Sequence, residues 1–77
     1  MALDNEAKKT MLQQMLDSAE MDLFRQQVEL DALNAEAEVV TDENQKAAVQ
    51  VGIEQTQQAL AKINARRDSW QKAYDAL

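Results

Sequence analysis

The chain is expected to be all-α, folded as an antiparallel two-helix coiled-coil hairpin and assembled further into a homo-oligomeric helical bundle. Three observations lead there. Proline is absent and glycine occurs once in 77 residues, while Ala, Gln, Glu, Leu and Lys, all strong helix formers, fill much of the rest. Two long stretches carry apolar residues at alternating spacings of four and three, the period of a left-handed coiled-coil seam. A single short segment with helix-starting chemistry separates them. The one strand-like run, Val39-Val40-Thr41, is too brief to found a sheet.

Helix 1 is placed at about residues 4–40. Its seam runs through Leu12, Leu16, Ala19, Leu23, Gln26, Leu30, Leu33, Ala37 and Val40. The turn, about 41–43, falls where β-branched Val39, Val40 and Thr41 are followed by Asp42, Glu43, Asn44 and Gln45. Asp42 is suited to an N-cap, its carboxylate accepting from the exposed amides of the next turn, and Gln45 completes a capping-box-like spacing. Asp42 and Glu43 also suit the positive end of the following helix dipole. Helix 2, about 43–76, carries Val49, Ile53, Thr56, Leu60, Ile63, Arg67, Trp70, Tyr74 and Leu77 at the same alternation. The competing arrangement is one continuous helix of more than about 100 Å at 1.5 Å per residue, since no Gly or Pro forces the turn.

Folding the chain about residue 43 tests the hairpin, because paired positions then sum to 86. Leu12 meets Tyr74, Leu16 meets Trp70, Leu23 meets Ile63, Leu30 meets Thr56 and Leu33 meets Ile53. Gln26 falls opposite Leu60, Ala37 opposite Val49, and small Ala19 opposite long Arg67. Gln26, Thr56 and Arg67 interrupt the seam and are read as setting register at some cost in stability. Arg67 can lay its apolar stem over Ala19 while its head reaches Glu20 or Asp22. The alternative is an Arg67 left waiting for an anionic partner. On one edge Asp22 with Arg66 is the expected ion pair, contributing no more than about 1 kcal/mol if exposed.

A second apolar row remains after the seam is used: Met21, Phe24, Val28, Ala32, Ala35 and Val39. A lone hairpin would leave this row in water, and exposed apolar strips of that length mark an interface. Ala48, Gly52 and Ala59 of helix 2 are small enough to let another backbone approach, and Met11 and Met15 are further contact candidates. The expected partner is a second copy in a dimer or higher bundle, with a second protein of other identity as a further partner. An amphipathic helix from another protein is the weaker alternative, for which the methionines would help the surface adapt.

Up to Thr41 nine acids oppose three bases, a net of −6, whereas from Asp42 onward five acids meet five bases. Such a surface repels phosphate backbones, and Lys62, Arg66, Arg67 and Lys72 lack the interleaved aromatics of a single-strand platform. Direct nucleic-acid binding is therefore not expected. The functional alternative for this charge is an acidic inhibitor or regulator that occupies the basic cleft of a nucleic-acid-handling protein.

No enzyme is expected. The chain has neither His nor Cys, so it lacks the common general base, the thiol nucleophile and the ordinary zinc ligands. Ser18 and Ser69 have no activating partner, and no phosphate-binding loop occurs. No catalytic, cofactor or metal site is assigned, because the acidic turn lacks the spacing of a calcium loop. A chain of this length buries a modest share of its surface alone, so help from oligomerisation is expected. The start lacks a basic segment followed by an apolar core, and no run approaches the roughly 20 apolar residues of a membrane span. A soluble, cytoplasmic protein follows as the expectation, or more broadly one that is intracellular or virion-associated.

Small size, Gln and Ala richness and the acidic helical hairpin resemble in general character small phage-encoded proteins and short secretion chaperones, with no motif behind the likeness. The expected function is accordingly a non-catalytic assembly, adaptor or small chaperone-like interaction module.

Overall fold

The structure is a computed structural model that describes residues 2–77. Two long helices, α1 (Asn5–Val39) and α2 (Glu43–Asp75), pack as a hairpin, and no strand occurs among the described residues.

Each helix begins at a carboxylate. Asp4, with extended backbone, accepts from the Ala7 amide through Oδ1 at 2.7 Å, and Glu6 in the first turn complements the positive helix end. Asp42 does the same for α2, its Oδ2 accepting from the Gln45 amide at 3.0 Å. Among the described residues Gln45 makes no reciprocal side-chain bond, so Asp42 caps alone. Glu43 meets Lys46 one turn on at 3.5 Å.

The end of α1 has a different origin. Its last turn holds no basic residue and carries Glu36 and Glu38, an unfavourable sign for the negative helix end. β-branched Val39, Val40 and Thr41 have lowered helix propensity, and Asp42 gains more as a cap than as an interior residue. Val40 closes the helix by donating its amide to the Glu36 carbonyl at 3.1 Å, then leaves with ψ of 138°. No described residue has positive φ, so extended backbone at Val40 and Asp42 makes the turn without glycine.

Burial follows the four-three spacing. Leu16, Ala19, Val49, Ile53 and Thr56 are buried. Leu12, Leu23, Gln26, Leu30, Leu33 and Val40 are half-buried, as are Leu60, Ile63, Arg67, Trp70, Tyr74 and Leu77. Ala37 is exposed although Val49, expected opposite it, is buried. Thr56 needs no partner across the interface, because its hydroxyl donates to the Gly52 carbonyl one turn back at 2.8 Å. Arg67 donates from Nη1 to Glu20 Oε1 at 3.1 Å, a bond between helices that gives the half-buried guanidinium a partner within the chain.

Gly52 answers to the hairpin's own packing. A Cβ built there would lie 3.2 Å from Leu33 Cδ2 and 3.4 Å from Cδ1, so the Leu33 side chain occupies the space that glycine leaves. The Arg67–Glu20 and Gly52–Leu33 pairs have residue numbers summing to 87 and 85, which fixes the level of one helix against the other. Leu33 is half-buried, and its methyl groups can swing toward solvent by the few tenths of an ångström that a Cβ requires. Gly52→Ala is therefore expected to raise stability by about 0.5 kcal/mol, most of the helix-propensity gain surviving the adjustment. A thermal melt followed by circular dichroism checks the sign; a lowered midpoint would mean that Leu33 cannot yield.

The outer faces are tied along each helix by short-range bonds. Gln13 donates to Asp17 at 2.9 Å, Gln27 to Asp31 at 3.0 Å and Gln71 to Asp75 at 3.0 Å, each four residues on. Such pairs add a few tenths of a kcal/mol apiece. Asp22 is bonded to Arg25 on its own helix at 3.4 Å. The expected Asp22–Arg66 pair does not form, since a partner three residues away needs less chain ordering to reach than one on the other helix.

The resulting particle is a rod of 58 × 20 × 14 Å with a radius of gyration of 17.6 Å. A compact domain of this length would have a radius near 11–12 Å. Its accessible surface is 5807 Å², against about 4,700 Å² for a typical folded monomer of the same mass. The excess, roughly 1,000 Å², is comparable to one partner's share of a standard protein interface.

Candidate interaction surface

Most of the exposed large apolar side chains belong to α1. Phe24 is 73% exposed, Met21 64% and Val39 75%, with Val28 at 50%; Ala32 and Ala35 between them are exposed as well. Met21, Phe24 and Val28 line one shallow groove together with Glu20, Arg25 and Glu29. All six belong to α1, so the groove lies on its outer side and α2 contributes nothing to it. Spacings of three and four bring these residues onto one face, and the residues facing α2 occupy the other side of the same helix.

The groove is apolar along its floor and charged at its rim. Glu20 is engaged by Arg67 and Arg25 by Asp22, which leaves Glu29 without an ion pair among the described residues. Among the described residues no group of three or more His, Cys, Asp or Glu is placed to hold a metal. What the arrangement can do chemically is bury apolar surface.

A second apolar patch sits at the open end of the hairpin. Leu3, Met11, Leu12 and Met15 of the N-terminal part meet Ala73 and Leu77 of the C-terminal part, with Lys8 at the edge. Met11 and Met15 therefore belong to this end patch, away from the Phe24 groove. Composition alone could not separate the two groups; their positions relative to α2 do.

On α2 the small residues divide. Ala48 is exposed, whereas Gly52 and Ala59 are half-buried, and the contact with Leu33 accounts for Gly52 within the hairpin. The outward face of α2 instead presents Ala47, Val51, Ala61 and Ala65, all exposed, with exposed Glu54 and Gln58 between Val51 and Ala61, a set that attention to Ala48, Gly52 and Ala59 overlooks. Continuing the four-three count from Ile53 to its opposite side would have found them. Among the described residues no helix is long and apolar enough to cross a membrane. Compared with known protein families, characterised proteins and solved structures, the chain matches none of them.

Proposed function

We propose that this chain is a non-catalytic assembly or adaptor module, an antiparallel coiled-coil hairpin that self-associates through the outer face of α1. The observation that carries the reading is the continuous exposed row from Met21 to Val39 with Phe24 at 73% exposure. Burying Phe24, Met21 and Val28 against a partner stabilises an assembly by roughly 1.5 to 3 kcal/mol per side chain, an upper figure before ordering costs. The rod's excess surface of about 1,000 Å² supports the same conclusion, because a lone particle with so thin a core gains most by covering it.

The test is molar mass by light scattering across a dilution series, with helix content followed by circular dichroism. The native chain is expected to form a dimer or larger particle at micromolar concentration, and Phe24→Glu to fall to the mass of one chain with its helices retained. A native chain that stays at 8.7 kDa at all concentrations would remove self-association, and the row would then await another protein.

A further inference from the structure

Building on that self-association, we infer that copies join by unlike faces: the outer apolar row of α1 on one hairpin seats on the outer face of α2 on the next. Charge is the first reason. Residues 1–41 carry nine acids and three bases, and residues 42–77 five of each. Packing α1 on α1 would bring two acidic helices together, with two acids, Glu20 and Glu29, against one cation, Arg25, at the rim of each groove. On α2, Lys62, Arg66 and Lys72 are exposed and have no ion pair among the described residues. They are the cations that an acidic neighbour lacks.

Size is the second reason. When two hairpins lie side by side with their turns level, α1 of one runs opposite to α2 of the next, as it does within each hairpin. The level set by the Arg67–Glu20 and Gly52–Leu33 contacts then puts Phe24 beside Lys62, between Ala61 and Ala65. Met21 comes level with Ala65, Val39 with Ala47, and small Ala35 with Val51. Phe24, Met21 and Val39 thus meet Ala61, Ala65 and Ala47, while Val28 comes level with Gln58, Ala32 with Glu54, and Glu20, already bonded to Arg67, with Arg66. Two outer faces of α1 would instead set Phe24, Met21 and Val28 against one another. An interface between unlike patches leaves one of each open at the ends, so assembly continues until it closes or is capped.

Complementation tests this directly. Phe24→Glu blocks one face and Ala65→Glu the other, and both positions are exposed in the hairpin. Each variant alone is expected to remain at the mass of one chain. An equal mixture is expected to reach twice that mass and no more, because one intact face of each kind remains. If Ala65→Glu assembles like the native protein, or if the mixture stays monomeric while the native chain assembles, unlike-face joining is overturned and self-association stands. A monomeric native chain removes both. As a second readout that leaves the apolar rows intact, Lys62→Glu with Arg66→Glu is expected to weaken assembly at least tenfold at low salt; unchanged assembly would also overturn the inference.

Discussion

Replacing Ile53 by Ala is expected to cost about 2 to 4 kcal/mol, the usual price of emptying a buried aliphatic site, with the upper part of that range reached where the surroundings cannot collapse. Ile53 is 8% exposed and belongs to a set of five buried residues. None of them is fully enclosed, so the hairpin has no deeper layer to absorb the loss. Globular proteins hold roughly 0.05 to 0.15 kcal/mol of stability per residue, which for 77 residues gives about 4 to 12 kcal/mol. A single branched aliphatic side chain therefore carries a large fraction of the total. At 4 to 8 °C per kcal/mol for a domain of this size, the thermal midpoint should fall by about 10 °C or more. Ile53→Leu, which keeps the volume, should cost less than about 1.5 kcal/mol. Melts at the lowest usable concentration separate this from any contribution of assembly, because self-association adds apparent stability by mass action. A loss for Ile53→Ala of less than about 1 kcal/mol would mean that the interface between the helices is too loose to act as a core.

The helical state and the place of the turn were legible in the sequence because each rests on local chemistry. Absence of proline, the helix-forming composition and the capping preference of Asp42 act within a few residues of where they are written. The outer row at Met21, Phe24 and Val28 was legible for a related reason: a helix has fixed angular spacing, so once one face is committed to a partner the remaining apolar residues have to point elsewhere. Contacts between the helices were harder to read. Asp22 was matched to Arg66 by level alone, yet Arg25 lies on the same helix one turn away and takes the bond. Gly52 suggested room for a neighbouring molecule, but a missing Cβ is equally room for Leu33. Asp4 caps α1 from three residues before the amide it binds, the same spacing that marks Asp42 as a cap. For Asp22 and Gly52 the partner that the structure shows is nearer along the chain or across the fold than the one expected.

The sharpest change in shape is expected from the turn. Val40, Thr41 and Asp42 are the three residues between α1 and α2, and none needs a conformation that alanine cannot adopt. What holds the turn open is propensity and capping. Replacing the three with Ala removes up to about 0.7 kcal/mol of helix disfavour at each position and about 1 kcal/mol of cap, a shift of roughly 3 kcal/mol per chain toward a continuous helix. From Asn5 to Asp75 that helix would measure about 107 Å at 1.5 Å per residue. Two opened chains can lie side by side in opposite directions and give each α1 a partner's α2, reproducing the contacts of the hairpin between molecules. The background for the experiment is Phe24→Glu, so that lateral assembly does not contribute. There the turn variant is expected to double in mass and to show a maximum dimension near 107 Å by small-angle scattering, where the parent variant keeps the 58 Å of the hairpin. Lengthening and doubling must appear together, since one opened chain alone would leave both of its apolar seams in water. A triple variant that stays short and monomeric would show that the inter-helix contacts within one chain, closed at low entropic cost by a three-residue link, outweigh the helix preference of the link itself.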